Sequence, residues 1–266
     1  MSGRRAPDVV NPHARAAEKR QQVLRFLRDE KYTITDLVTQ LLGVAPSNAL
    51  STLYSMERKG LIVRDELEFM GHRIATIWGI TSEGILEAFE PEEIATANTR
   101  PYSPGRISPR TIEHTLDVQR WRLRLEKAGC NAWKPTRLLP GQEKPRNHKD
   151  RWSVYPDGIA WIPQKISSGE VGEIVVAFEI ERTAKSSQRY VQIIRGHLKN
   201  IQAGRYGGVF YVCPEQKKAD TLKALFSRLI EEKQIRYDPG GEEPLWDASR
   251  TITLFRFTSM EGGRIV

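Results

Sequence analysis

Two segments of the chain place carboxylates where a buried strand would not normally tolerate them. Asp157 lies in a Pro-Asp-Gly stretch that interrupts an apolar strand pattern over residues 152–162. Glu179 and Glu181 end the apolar run 174–178, and the two-residue period of a strand puts both on the same face. Two neighbouring carboxylates repel each other, and a divalent cation removes that penalty. The pattern therefore predicts a site for a divalent cation held by Asp157, Glu179 and Glu181.

The order Pro-Asp followed by Glu-x-Glu, with the first Glu 22 positions after the Asp, resembles the PD-(D/E)xK signature of restriction-endonuclease-like nucleases. In that superfamily two acids hold Mg²⁺, which polarises the scissile phosphate and activates water, and a lysine orients the water. The resemblance implies that Asp157 and Glu179 are the metal ligands. Glu181 stands where lysine is usual, as in some active members. Lys185 is the candidate for the missing positive charge.

A closer resemblance is to the replication-relaxation family, which includes the MobC-type plasmid mobilisation proteins and combines a winged helix with a nuclease-like domain. The matching stretches are "IEHTLDVQRWRL", "YPDGIAWI" and "FEIERTAKSSQRYVQIIRGHL", and the likeness covers roughly residues 18–260. It implies that the chain handles plasmid or mobile-element DNA at an origin of transfer or replication, with accessory mobilisation proteins as partners. It also makes His114, in the first stretch, a catalytic candidate.

Each of these residues has a structural alternative. Asp157 between proline and glycine is also typical of a turn. The Glu179 and Glu181 pair is equally compatible with salt bridges to Arg182, Lys185 or Arg189. His114 has apolar neighbours on its helix and fits a core or hinge position as well as a catalytic one. Tyr190 and His197, on a later amphipathic helix, fit packing better than chemistry.

The N-terminal part has the element order of a winged helix-turn-helix. Apolar periodicity predicts a helix from Glu18, a second helix stopped by Gly43 and a third from Pro46 to Gly60. A strand from residue 61, a turn at 70–72, a return strand 74–80 and a short helix follow. The third helix carries side chains suited to DNA contacts, and the candidates are Ser47, Asn48, Ser51, Thr52 and Arg58.

The whole sequence predicts an α/β (α+β) fold in four segments. Residues 1–17 are a basic flexible arm, 18–90 the winged helix, 91–110 a proline-containing linker and 111–266 a restriction-endonuclease-like domain with a mixed sheet. In that last segment helices are expected at 111–127, 186–203 and 215–233. Strands are expected at 132–139, 152–162, 173–181, 207–213 and 251–257.

The charge distribution favours a nucleic-acid partner. The net charge is +8. Residues 1–28 hold seven basic against two acidic residues, and residues 101–152 hold twelve against five, whereas residues 29–100 hold six against twelve. A DNA-contacting surface on one side of the second domain is therefore predicted from Arg120, Arg124, Lys134, Arg137, Lys144 and Arg146. The acidic 29–100 segment leaves protein docking or homodimerisation as the alternative role of the winged helix.

Composition points to a soluble, cytoplasmic protein with no membrane partner. The longest strongly apolar stretch, residues 174–178, is too short to span a bilayer, and no signal-peptide pattern opens the chain. The two cysteines, Cys130 and Cys213, supply neither a disulfide framework nor a zinc cluster.

Two functional hypotheses follow from these features. The first is an Mg²⁺- or Mn²⁺-dependent endonuclease or relaxase that nicks double-stranded DNA at a mobile-element origin. The second is a non-catalytic DNA-binding accessory protein or transcriptional regulator, whose nuclease-like domain has lost the lysine and only binds.

Overall fold

Helices and two separate sheets make up the computed structural model, which describes residues 12–89, 100–140, 151–165, 171–240 and 243–261. The mixed α and β content agrees with the expected fold class. Contacts divide the chain into two compact units, Met1–Leu116 and Asp117–Val266. Among the described residues, no helix combines the length and apolar character needed to cross a membrane.

The N-terminal unit contains three helices followed by an antiparallel hairpin and a short fourth helix. In chain order the elements are α1 (Pro12–Glu30), β1 (Tyr32–Thr33), α2 (Thr35–Leu42), α3 (Pro46–Arg58), β2 (Ile62–Phe69), β3 (His72–Ile80) and α4 (Ser82–Ala88). The three strands form an antiparallel sheet in the order β1-β3-β2. This is the predicted succession, with the addition of β1.

Local sequence explains where these elements start and stop. Helix α1 begins at Pro12, six residues before the predicted start, because proline suits the first helical turn and the alanine-rich stretch after it has high helix propensity. Gly43 ends α2 in the left-handed conformation, with φ of 61°. Met70 and Gly71 both have positive φ, as a two-residue hairpin turn requires, which confirms the turn predicted there.

Apolar side chains from α1, α2, α3 and the hairpin form the core of this unit. Leu24, Leu27, Val38, Leu53 and Trp78 are fully buried within it. Each comes from a position that the helical or strand period placed inside, so the burial pattern follows the sequence periodicity.

The C-terminal unit is built on a five-stranded mixed sheet. Its elements are α5 (Ile112–Lys127, which spans the division between the units), β4 (Asn131–Pro135), a 3₁₀ turn (Thr136–Leu138), β5 (Gly158–Lys165), β6 (Val171–Ile180), α6 (Ser187–Gln202), β7 (Val209–Cys213), α7 (Gln216–Glu232), α8 (Ala248–Thr251), a second 3₁₀ turn (Ile252–Leu254) and β8 (Phe255–Ser259). The strand order is β4-β5-β6-β7-β8. Strands β4, β5 and β6 are antiparallel, and β6, β7 and β8 are parallel. The mixed sheet expected from the sequence is confirmed.

The two faces of this sheet belong to different clusters of buried side chains. Phe178 and Ile180 pack in the cluster that includes Trp121 of α5. Ala177, one residue away on β6, packs in the cluster that includes Ile194 of α6 and residues of α7. Since side chains alternate along a strand, Glu179 lies on the same face as Ala177, the face covered by α6 and α7.

Three predicted strands differ from the structure. The strand predicted at 152–162 begins only at Gly158, because the backbone of residues 153 and 154 bonds to a side chain of α6 instead of a strand. The strand predicted at 132–139 ends at Pro135, which cannot donate to a ladder, and a 3₁₀ turn follows. The strand predicted at 251–257 begins at Phe255, because Asp247 caps a short helix ahead of it.

Part of the segment predicted as a linker packs on the N-terminal unit. The Tyr102 amide donates to the Ile80 carbonyl at 2.8 Å, and its hydroxyl donates to Asp65 at 2.6 Å. The ring covers Gly79 so closely that a Cβ there would lie 2.1 Å from a ring carbon. The contact therefore depends on glycine at position 79.

Gly79→Ala is expected to lower the free energy of unfolding by about 1–3 kcal/mol, since the tyrosine must move to admit a methyl group. Tyr102→Ala removes the obstacle, so the glycine substitution should cost little in that background. Urea denaturation of the four proteins in this cycle measures the coupling. Equal costs of Gly79→Ala in both backgrounds would contradict the close contact.

Candidate active site

Asp157 is held beside the end of β6 at the first turn into β5. The Asp157 amide donates to the Phe178 carbonyl at 3.0 Å, and Asp157 Oδ2 accepts from the Ile180 amide at 2.7 Å. These bonds tie Asp157 to the residues on either side of Glu179. The charge of Asp157 also acts on His197, whose Nε2 lies 3.2 Å from Glu179 Oε1. Asp157 and Glu179 are therefore close neighbours at the end of β6.

Glu179 lies on the sheet face covered by α6. Its side chain is 17% exposed, and its neighbour in register on β7 is the buried Tyr211. Glu179 Oε1 lies 3.2 Å from Nε2 of His197, which comes from α6 and is fully buried. The two atoms are too poorly aligned to form a hydrogen bond.

His197 is surrounded by groups that fix its position. Its Nδ1 lies 2.7 Å from the Tyr206 hydroxyl, within hydrogen-bond distance. Burial lowers the pKa of His197 to about 3, and the nearby charge of Asp157 only partly opposes this. The ring is consequently neutral at physiological pH. Burial also raises the pKa of Tyr211 well above its ordinary value, with Glu179 and Glu181 adding to the shift.

Asn200, one turn after His197, fastens the segment before Asp157 to α6. Its Oδ1 accepts from the Ser153 amide at 3.0 Å, and its Nδ2 donates to the Val154 carbonyl at 2.7 Å. Gly196 lets the two segments approach, because a Cβ there would lie 3.1 Å from the Val154 Cβ. The irregular path of the chain into Asp157 is thus set by α6.

Glu181 has a different partner from Glu179. It is the first residue after β6, its side chain is 7% exposed, and it forms an ion pair with Lys185. The Lys185 amide donates to the hydroxyl of buried Tyr190 at 3.1 Å, which ties this turn to α6. Lys185 therefore lies next to the carboxylates, as the sequence suggested, but as the partner of Glu181.

The three carboxylates do not form one preformed ligand group. Within the part of the chain that the structure describes, no set of three or more His, Cys, Asp or Glu residues is arranged to hold a metal ion. Asp157 and Glu179 are nevertheless close neighbours, and their carboxylate oxygens are ligands of the kind that Mg²⁺ prefers. Mg²⁺ needs only one or two protein carboxylates and retains several waters, so this pair fits such a cation.

A cavity of about 470 Å³ opens beside Glu181 at the carboxyl ends of β6 and β7. Tyr190, Leu222 and Leu225 form apolar parts of its wall, and Arg182, Lys217 and Lys218 supply positive charge. Cys213 also lines it, but burial raises the pKa of this thiol to about 11, so it is not a thiolate at neutral pH. The cationic border suits phosphate groups next to the carboxylates.

The predicted DNA-contacting cations of the second unit are partly engaged within the protein. Arg120 pairs with Asp117 at 2.6 Å, and Arg124 donates to the Met260 carbonyl and lies over the Trp121 ring. The Lys134 ammonium is 5.1 Å from the centre of the Trp161 ring, and its side chain is exposed.

The other predicted site residues in this part of the chain are Arg137, Lys144, Arg146 and His114 of α5. Arg137 is half-buried in the 3₁₀ turn after β4, while Lys144 and Arg146 lie outside the described residues. His114 is half-buried in the first turn of α5, one turn before Val118, whose side chain packs with Trp121.

In the N-terminal unit, α3 presents most of its predicted contact residues to solvent. Ser47, Asn48, Ser51 and Arg58 are exposed, and half-buried Thr52 donates to the Asn48 carbonyl at 3.0 Å. The opposite side of the helix is anchored in the core, with Ala49, Leu53 and Met56 buried.

Two acidic residues of the hairpin have partners in this unit. Asp65 accepts from the Tyr102 hydroxyl and from the Gly105 amide, and Glu66 pairs with Arg73 at 2.6 Å. Arg73 offsets the charge of Glu66, whereas the neutral partners of Asp65 leave its charge in place.

Sequence reasoning missed the roles of His197, Asn200 and Tyr206. The available signal was the presence of His197 and Asn200 on the apolar stripe of α6, beside Ile194 and Ile201. Polar side chains at core positions require hydrogen-bond partners. Their spacing could thus have indicated a buried polar network, though not its partners.

Comparisons with known proteins identify no family. No protein-family model matches the chain, and no curated protein matches it. Two mutant forms of Lactococcus lactis ZitR align among solved structures, each with 18% identity, 36% of this chain covered and a TM-score of 0.24. The alignments cover 59% and 57% of the ZitR chains, less than two thirds of either. A likeness of this size carries no argument about fold or function.

Asn200→Leu is expected to destabilise the protein strongly, because it leaves the Ser153 amide, the Val154 carbonyl and the Tyr206 hydroxyl without this partner. Each unsatisfied buried group costs about 1–3 kcal/mol. Arg205→Ala is the control. It removes one partner of Asn200, together with a bond to the Arg151 carbonyl and a contact with the Trp152 ring, and leaves the bonds of Asn200 to Ser153, Val154 and Tyr206 in place. Urea denaturation compares the two variants. Equal destabilisation by both would show that the buried amide is not the anchor.

Proposed function

We propose that the chain is a divalent-cation-dependent DNA endonuclease of the relaxase kind, which nicks double-stranded DNA at an origin of a plasmid or mobile element. The observation that carries the proposal is the pair Asp157 and Glu179, two neighbouring carboxylates at the end of β6 in a mixed sheet. Hydrogen bonds from Asp157 to the backbone of Phe178 and Ile180 hold the two residues next to each other.

The order of elements around the pair supports the proposal. Helix α5, the antiparallel strands β4, β5 and β6, helix α6 and the parallel strand β7 follow one another. Asp157 directly precedes the second of these strands, β5, and Glu179 lies near the end of the third, β6. This order, Pro-Asp ahead of one strand and Glu on the next, agrees with the PD-(D/E)xK resemblance. We assign the C-terminal unit to the restriction-endonuclease-like class on this basis.

Asp157 and Glu179 are the residues that would hold Mg²⁺ or Mn²⁺. A bound cation of this kind supplies Lewis acidity to a phosphate oxygen and lowers the pKa of its water. Lys185, paired with Glu181, places positive charge next to the pair and is positioned to orient a nucleophilic water or a phosphate. Arg182, Lys217 and Lys218 around the neighbouring cavity would contact the DNA backbone.

The N-terminal unit is proposed to be a winged helix that binds the same DNA. Its three helices precede an antiparallel hairpin, and α3 presents Ser47, Asn48, Ser51 and Arg58 on its exposed face. Small polar side chains on such a helix suit the major groove, and arginine suits phosphate or guanine.

Asp157→Ala and Glu179→Ala are each expected to abolish metal-dependent nicking of supercoiled origin DNA, because each removes a cation ligand. Affinity for DNA without metal should stay equal or rise, since one negative charge near the phosphates is gone. Glu173→Ala is the matched control: it deletes an exposed carboxylate at the other end of β6 and should leave nicking intact.

Three patterns separate the candidate functions in this experiment. Nicking by the Glu179→Ala variant at the wild-type rate would mean that the active site lies elsewhere. DNA binding without any metal-dependent nicking by the wild type would instead support the non-catalytic accessory or regulator. A fall in melting temperature in the Glu179 variant would indicate a structural role for this carboxylate.

Arg58→Ala tests DNA contact by α3. If Arg58 meets a phosphate, binding should weaken for all sequences, and the slope of log K against log salt should fall by about 0.9. Arg20→Ala removes the same charge from α1, where Arg20 pairs with Glu87, and should leave the slope unchanged. Fluorescence anisotropy over a salt series measures both. Identical slopes for wild type and Arg58→Ala would refute the contact.

A further inference from the structure

We propose that His197 is a positioning residue that donates its Nε2–H to Glu179 and orients this carboxylate toward the cation, without being a metal ligand itself. This inference rests on the proposed function for the role of Glu179. Which nitrogen of the imidazole carries the proton, in contrast, follows from the hydrogen bonds around the ring.

The hydrogen-bond partners of the Asn200 amide determine its orientation. Its oxygen accepts from the Ser153 amide, which can only donate, and its nitrogen donates to the Val154 carbonyl, which can only accept. Arg205, another obligatory donor, also bonds to the oxygen at 2.9 Å. Three partners of fixed character therefore determine which end of the amide is nitrogen.

The orientation of this amide determines the direction of the Tyr206 hydroxyl. Asn200 Nδ2 lies 2.9 Å from this hydroxyl, and because that atom is the donor, the tyrosine oxygen accepts. The tyrosine proton is then left for the other close polar atom, Nδ1 of His197, at 2.7 Å. Tyr206 is buried, so a proton directed elsewhere would cost a buried hydrogen bond.

The direction of that hydroxyl fixes the tautomer of His197. An Nδ1 atom that accepts a hydrogen bond carries no proton, so the proton of the neutral ring is on Nε2. A protonated nitrogen has no lone pair for a metal ion. His197 is thereby excluded as a cation ligand in this arrangement, although it lies beside two proposed ligands.

The consequence concerns Glu179. The buried Nε2 atom lies 3.2 Å from Glu179 Oε1 and forms no hydrogen bond among the described residues. Its proton is therefore available to Glu179, and a donor at this place restricts the orientation of the carboxylate. Groups that orient metal ligands in this way typically contribute 10- to 100-fold to metal affinity.

The tautomer is tested by long-range ¹H–¹⁵N NMR on wild-type protein labelled with ¹⁵N-histidine. The expected spectrum shows one histidine with a protonated Nε2 and a bare Nδ1, and loss of that signal in His197→Gln assigns it. A proton on Nδ1 of His197 would overturn the inference. This result does not depend on whether the protein binds metal.

The positioning role is tested by Mn²⁺ titration of two variants of the full chain. His197→Leu removes the donor and should weaken Mn²⁺ binding by about 10- to 100-fold. His197→Gln restores an N–H near the Nε2 position and should recover most of that loss, which a merely structural role would not explain.

Equal Mn²⁺ affinity in wild type, His197→Leu and His197→Gln would overturn the positioning role. Absence of Mn²⁺ binding by the wild type would instead overturn the proposed function, so the two failures are distinguishable. Melting temperatures are recorded for both variants. If His197→Leu does not fold, a failure of folded His197→Gln to bind Mn²⁺ near wild-type affinity overturns the role.

Discussion

The buried amide of Asn200 uses all four of its hydrogen-bonding positions, and much of the C-terminal unit depends on those four bonds. Two of them hold residues 153 and 154, the segment that leads into Asp157. One reaches Tyr206, in the connection from α6 to β7, and through it His197. A single side chain on α6 thus positions both the approach to Asp157 and the imidazole next to Glu179. A buried amide with an unsatisfied hydrogen-bonding position is costly in free energy. The four bonds of Asn200 therefore favour one arrangement of the surrounding segments.

Side chains of β6 alternate between a face that packs under α5 and the face that carries Glu179. Phe178 and Ile180 fill the core under α5, so the residue between them must face α6. Glu179 is therefore fixed on that face by its apolar neighbours as well as by its own contacts. The Asp157 carboxylate in turn accepts from the Ile180 amide, which locks the two strands in register at this point. Burial of the Phe178 and Ile180 side chains on one face therefore keeps Glu179 on the other face.

Much of this fold could be predicted from local patterns. Helix periodicity, the glycine at position 43 and the Met70-Gly71 turn correctly indicated the elements of the N-terminal unit. The apolar run that ends at Glu179 correctly indicated the strand β6. These features depend on neighbours in the sequence or on the fixed period of a strand, so a single sequence contains enough information.

The parts that could not be predicted depend on long-range choices. The sequence offered Arg182, Lys185 and Arg189 as partners for the acids; in the structure Lys185 pairs with Glu181, and Arg182 pairs with Asp117 of α5. The partners of Asn200 lie 5, 6, 46 and 47 residues away, and no local pattern specifies them. The stretch before Asp157 was predicted as a strand because its side chains alternate. In the structure, the backbone of residues 153 and 154 bonds to the Asn200 side chain and not to a neighbouring strand.

The most direct test of the account is an anomalous diffraction map from a crystal of the protein soaked in Mn²⁺. We expect a single strong peak coordinated by one oxygen each of Asp157 and Glu179. Glu181 should still pair with Lys185, and His197 should lie outside the coordination shell. A peak ligated by His197, or a cation bound elsewhere with the Asp157 and Glu179 pair empty, would contradict it.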